Sequence, residues 1–278
     1  MCWSAEASVS IALIGYAVTY SEYRKMRKHQ QPWSEQYGLR GIATFYLSLM
    51  ETLQAVNYTV IDTAGFWNSF YSLLGYVHIS FQPLFVSLFC LSFIPKKRRV
   101  YWMKYALFFS MLSAVVFLSR LVISPSLPGC FSRHCSPVIS MDSLLSLNVF
   151  FTKTVGCAKT SFLSYPGDWH IAWQWVLNNC SALEYAYFFT VFVLPCCYGA
   201  YLCVLSFALC GPIAAIFLSN NPDEFAAIWC LITMGFVGSL KIPIWNRMIT
   251  VQHESWRDAW HSMHRRLNQW HRRFHAEQ

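Results

Sequence analysis

Residues 84–123 read LFVSLFCLSFIPKKRRVYWMKYALFFSMLSAVVFLSRLVI: an apolar run, the cluster Lys96-Lys97-Arg98-Arg99, then a second apolar run with Lys104 near its start and Arg120 near its end. Crossing a hydrocarbon layer of about 30 Å takes roughly 20 apolar residues at about 1.5 Å per residue, and a basic cluster between two such runs marks the cytosolic side. Working outward from this unit, apolar runs of that size fall at about 6–23, 42–61, 74–95, 170–194, 200–219 and 223–241, besides 102–123. The chain is therefore predicted to be an all-α integral membrane protein, a seven-transmembrane helix bundle.

Composition agrees. Of 278 residues, 55% are hydrophobic and 12% charged, about half the charge of a soluble domain. Seven spans need roughly 140 residues, which leaves the remainder for loops and a tail and no separate soluble domain. The formal charge of +8 does not point to nucleic acid, because the basic residues sit in short clusters between apolar runs without any nucleic-acid-binding motif. Five Lys/Arg lie between Arg24 and Arg40, five between Lys96 and Lys104, and seven from Lys241 onward. That bias puts the first, third and last connections in the cytosol and sends the amino terminus outside, or into a lumen. The first run is expected to stay as a span, since it lacks the charged start and the cleavage site of a signal peptide. Pro195-Cys196-Cys197-Tyr198-Gly199 must then act as a tight inner turn without a basic residue of its own.

The expected organisation is a membrane domain over 1–245, with an outer loop at 124–169, and a basic tail over 246–278. The outer loop holds Cys130, Cys135 and Cys157, of which two can form a disulfide in an oxidising compartment. In the tail, Trp256, Trp260, Met263, Leu267, Trp270 and Phe274 recur at helical spacing among Arg257, Arg265, Arg266, Arg272 and Arg273. Such a cytosolic amphipathic helix suits anionic lipid or the groove of a protein partner, and leaves room for an oligomer or a larger complex. Asn221-Pro222-Asp223-Glu224 reads as a helix start, with Asn as N-cap, Pro at the first position and acids in the first turn.

Two segments 92 residues apart align without gaps: SFYSLLGYVHISFQ from Ser69 to Gln82, and SFLSYPGDWHIAWQ from Ser161 to Gln174. Seven of the fourteen positions are identical, which chance explains poorly. Both copies lead into runs of the same predicted direction, as in parallel repeats, and each delivers a His near the outer end of its span. Because Gln follows His by four residues, each pair is expected to share a helical face. Glu184 would continue the stripe below His170, while Glu51, Gln54 and Asn57 form another at i, i+3 and i+6. Intramembrane polar residues face the bundle interior and find partners. The expected internal site thus comprises Glu51, Gln54, His78, Gln82, His170, Gln174 and Glu184, set against the alternative of a duplicated packing motif.

Two imidazoles and a carboxylate suit a metal ion, and two axial His suit a haem, so His78 and His170 are the candidate metal ligands. The same groups without a metal suit a proton path. Cys2, exposed if Met1 is removed, is a candidate amino-terminal nucleophile or ligand. No phosphate-binding glycine loop or G-x-S-x-G elbow is present, and no particular catalytic residue is assigned.

The opening Met1-Cys2-Trp3-Ser4-Ala5-Glu6-Ala7-Ser8 resembles the start of a domain-of-unknown-function family of multi-pass membrane proteins of fungi and protists that begin Met-Cys-Trp-Ser. Residues 78–83 (HISFQP), 169–173 (WHIAW) and 224–231 (EFAAIWCL) are similar to the same family. The likeness runs from residue 1 to about 240. It implies a membrane fold, in a eukaryotic endomembrane or plasma membrane, and supplies no activity. The functional expectations are therefore a buried site for a small ligand, metal or cofactor, a proton-coupled transporter or channel, or a structural subunit of a membrane complex.

Overall fold

The computed structural model describes residues 4–61, 65–123, 162–174 and 182–250. Within them the order is α1 (Ala5–Lys28), α2 (Gln36–Asn57), α3 (Phe66–Leu91), α4 (Lys96–Ile123), β1 (Leu163–Pro166), β2 (Ile171–Gln174), α5 (182–197), α6 (Tyr201–Leu218), α7 (Phe225–Ser239) and α8 (Pro243–Ile249). The chain is mostly helical, and α3, α6 and residues Lys96–Ser119 of α4 are long and apolar enough to cross a membrane. The apolar stretches Tyr185–Cys197 of α5 and Phe225–Ser239 of α7 are shorter.

Apolar periodicity explains the helices, and proline explains the irregularity of α6. Proline cannot donate a backbone hydrogen bond, and α6 widens into a π-turn at Leu209–Ile213 around Pro212 and the non-helical Gly211. Only 28% of the most apolar stretch of α4, and of α6, is buried within the chain, against 56% for α3. So α3 is central, while α4 and α6 present large apolar side chains outward: Phe108, Met111 and Val115 on one, Leu202, Leu205 and Phe217 on the other.

Consecutive helices α1–α2, α2–α3 and α3–α4 pack together, α7 lies against α1 and α2, and α5 lies against α3 and α4. Two apolar clusters fill the interior. One gathers Leu47, Phe89, Phe93, Tyr198, Phe207 and Met234; the other gathers Met50, Tyr76, Phe117, Trp173 and Cys230. Beyond the first cluster is an ionic end. Glu22 of α1, 1% exposed, meets Lys25 at 3.1 Å, Lys241 at 2.6 Å and Arg40 of α2 at 3.8 Å. Next to it Glu35 pairs with Lys96 at 2.7 Å and with Arg99, whose guanidinium also donates to the carbonyls of Leu91 and Ile94. Several cations read from sequence as topology signals therefore also join helix ends.

The turn at 195–199 forms as expected, and its geometry explains it. Ala200 N–H donates to Pro195 O and Gly199 N–H to Cys196 O, both at 2.9 Å, with Gly199 at φ +91. This is a Schellman closure, in which the left-handed position favours glycine. The turn lacks a basic residue of its own, but Arg98 reaches across and donates to Tyr198 O at 3.3 Å.

The fifth apolar run departs from expectation. A helix from His170 does not form, because residues 163–174 make an antiparallel hairpin in which Pro166 pairs with Ile171 and Leu163 with Gln174. Pro166-Gly167-Asp168 is a turn signal, and Ile171-Ala172-Trp173 suits a strand. Among the described residues the chain is next helical from Ala182. Neither the shared helical face of His170 and Gln174 nor the projection from His170 to Glu184 survives, since both assumed an unbroken helix. Cys2, Cys130, Cys135, Cys157 and the tail from 251 lie outside the described residues. Replacing Gly199 by Ala should cost about 1–2 kcal/mol, the penalty of a left-handed L-residue. Unfolding of the purified protein in detergent measures it, and an unchanged midpoint would show that the turn does not depend on glycine.

Candidate functional site: a buried polar stripe under a hairpin

The two copies of the repeated motif meet, though as a helix and a hairpin rather than as equivalent helices. Trp173 of β2 lies over Gly75 of α3, where a Cβ would stand 2.9 Å from the indole. Phe162 packs edge-on against Tyr76, with ring centroids 5.7 Å apart. Asn68, just before the first copy, locks the second: its amide nitrogen donates to Ser164 O at 2.9 Å, and its oxygen accepts from Ser164 N–H at 2.7 Å and from the Ser164 hydroxyl.

The loop of the hairpin rests on Glu224. The carboxylate, fully buried just before α7, accepts from the backbone N–H groups of Asp168 at 2.6 Å, Trp169 at 3.1 Å and His170 at 3.3 Å. Asn221 caps the turn as expected, accepting from Asp223 N–H at 3.1 Å, and Tyr165 donates to Asp223 at 2.7 Å. The capping reading of 221–224 thus holds for Asn221 and misses what Glu224 does.

His170 is fully buried at the foot of this loop. Its Nδ1 accepts from Ile171 N–H at 2.7 Å and lies 3.0 Å from the Tyr58 hydroxyl. A backbone N–H only donates, so the neutral ring carries its proton on Nε2, an atom that finds no hydrogen-bond partner among the described residues. Burial pushes the imidazole down to about 4. His78 stacks instead on Tyr46, with centroids 4.0 Å apart. Among the described residues no three His, Cys, Asp or Glu side chains gather closely enough to hold a metal ion.

Deeper in, α2 carries the stripe anticipated from spacing. Glu51, Gln54 and Asn57 are all fully buried, and among the described residues none of their side-chain oxygens and nitrogens has a hydrogen-bond partner. Glu51 is near enough to act electrostatically on Tyr58 and on Cys230 of α7. Gln82 of α3 accepts from the Tyr187 hydroxyl of α5 at 2.6 Å, and its nitrogen lies 3.9 Å from Cys230 Sγ. Tyr46 donates to His78 O and also neighbours Cys230. Glu51, His78 and Gln82 thus border one polar region between α2, α3, α5 and α7, Gln54 follows Glu51 by about one turn of α2, and His170 belongs to the hairpin at its end. Gln174 pairs through its backbone in β2, and Glu184 lies in α5. Sequence spacing did not single out Tyr58, Tyr187, Cys230 or Asn68, and it gave Glu224 only as a first-turn acid; Asn68 and Glu224 both hold backbone groups more than fifty residues away, which no local pattern signals.

These features define a helical protein with helices long and apolar enough to cross a membrane and an internal polar region closed by a hairpin. The chain belongs to a family of unknown function (DUF5765), whose model matches residues 6–250. No curated protein and no solved structure matches it.

Two predictions follow from the hairpin. Glu224→Gln turns one acceptor oxygen into a donor facing backbone N–H groups, which should destabilise by about 1–3 kcal/mol. Amide exchange should quicken at 168–170 before it does in α3, and uniform exchange across both would show that the carboxylate does not hold the loop. His170 titrates at about 4 when folded and at 6.5 in the unfolded reference, so between these values the unfolded state binds more protons. Its contribution is complete above pH 6.5 and is lost as pH falls towards 4. In His170→Asn the slope of unfolding free energy against pH should shrink in that window by up to one proton, and an unchanged slope would place the titration elsewhere.

Proposed function

We propose that this is a multi-pass integral membrane protein that binds a small hydrogen-bonding ligand in the polar region between α2, α3, α5 and α7. The observation that carries this reading is the α2 stripe: six polar atoms on Glu51, Gln54 and Asn57, buried and without hydrogen-bond partners among the described residues. A buried polar group left unpaired costs about 1–3 kcal/mol, and domains are stable by only about 5–15 kcal/mol in total. Three such side chains on one helix are a heavy burden for a structural role and a natural one for a site that is filled in use.

Seven spans, with the amino terminus outside and the tail in the cytosol, fit the exposed apolar faces of α4 and α6 and the gathering of Lys25, Arg40, Lys96, Arg98, Arg99 and Lys241 at one end. The hairpin would then close the outer end. The basic tail remains the candidate for contact with anionic lipid or a protein partner.

A proton-coupled transporter is the second reading, favoured by Glu51 making no ion pair among the described residues. Two measurements separate these ideas. Native mass spectrometry of the protein released from nanodiscs should find a small molecule bound to the wild type and absent from Gln54→Leu/Asn57→Leu, with the variant at least as stable in its empty state. If the wild type is empty and the double variant is strongly destabilised, the stripe is structural. Proteoliposomes should show proton flux that Glu51→Gln abolishes only if the second reading is right.

A further inference from the structure

We propose that the ligand of this site is an elongated organic cation, a primary amine carrying a second hydrogen-bonding group, whose ammonium displaces a proton from Glu51. This deepens the proposed ligand-binding reading and rests on it.

Glu51 is fully buried and makes no ion pair among the described residues. Among the described residues, the titratable groups around this region are Tyr46 and Tyr58 of its own segment, Tyr16 of α1 bonded to the neighbouring Thr52, His78 of α3, Tyr187 of α5, Cys230 of α7, His170 of the hairpin, and Glu224 just before α7, which also acts on Tyr58 and is committed to the hairpin loop. None of these is a lysine or arginine. The nearest cation along α2 is Arg40, eleven residues earlier and so about 16 Å away along the axis, and it is already committed to Glu22. A carboxyl in this position either keeps its proton or takes a cation from outside, because an isolated buried charge is far too costly.

Shape then selects the kind of cation. Glu51, Gln54 and Asn57 rise over about 9 Å of helix, at 1.5 Å per residue. A bare metal ion contacts ligands within about 2.5 Å and can satisfy only one end of that stripe. A molecule several bonds long can place an ammonium at Glu51 and a hydroxyl or amide at the Asn57 end, with Gln54 between. Hydroxyl-bearing rings of Tyr46, Tyr58 and Tyr187 lie around the same region, and aromatic faces favour organic cations. The exchange balances in charge: the protonated amine enters as Glu51 gives its proton to water, and the site stays neutral overall.

The test uses the full chain in nanodiscs and three probes of similar length: aminobutanol, butylamine and the neutral butanediol. Aminobutanol should raise the melting temperature and bind by calorimetry more tightly than either control. Its apparent affinity should fall by up to tenfold for each unit of pH lowered while Glu51 holds its proton. Glu51→Gln should lose at least tenfold in amine affinity while its melting temperature without ligand stays at or above that of the wild type, and it should equalise aminobutanol with butanediol. Equal binding of aminobutanol and butanediol to the wild type, or full amine affinity in Glu51→Gln, would overturn the cation while leaving a ligand site in place. If no probe binds the wild type and Gln54→Leu/Asn57→Leu loses stability, both the cation and the site fall together.

Discussion

A β-hairpin among apolar helices has to satisfy its own backbone, and in this protein one carboxylate does much of that work. Three successive N–H groups of the hairpin loop, at Asp168, Trp169 and His170, converge on Glu224. A charged acceptor strengthens each of these bonds, and a buried N–H left without one would cost free energy. With the loop fixed, Trp173 can lie over Gly75 and His170 can engage Tyr58. The closed end of the polar region therefore depends on a side chain at the start of α7.

The molecule has two differently built ends. At one, Glu22 and Glu35 gather lysines and arginines from several helices, and Arg98 covers the turn between α5 and α6. Ion pairs of this kind fix which helix ends meet more than they add stability, since desolvation offsets much of the attraction. At the other end the bonds run from side chain to backbone, through Asn68 and Glu224, and hold irregular chain where helices stop. Between them lies the contrast that gives the molecule its functional interest: carboxylates with several partners at both ends, and on α2 a stripe that makes no side-chain hydrogen bond among the described residues.

The α2 stripe was legible because helical spacing is a local property: Glu51, Gln54 and Asn57 at i, i+3 and i+6 share a face in any helix. The same reasoning succeeded for His78 and Gln82, which lie on one unbroken helix, and failed for His170 and Gln174, where identical spacing sits on a strand. The motif S-F-x-S-x-x-G-x-x-H-I-x-[FW]-Q was real as a repeat of residues and misleading as a repeat of structure. Pro166 and Asp168, which replace Leu74 and Tyr76 of the first copy, change what the backbone can do.

What the sequence alone determined is whatever depends on neighbours along the chain: the apolar helices, the glycine turn after Tyr198, the Asn221 cap and the polar face of α2. What only the tertiary structure decided is which of these faces meet and which groups remain unsatisfied once they do. Glu224 looks like an ordinary first-turn acid until the hairpin loop arrives from more than fifty residues away, and Tyr58 looks like core until His170 reaches it. The reason is physical. Secondary structure follows short-range sterics and hydrogen bonding, whereas the tautomer of His170, the isolation of Glu51 and the seat of the hairpin are set by contacts that no sequence spacing encodes.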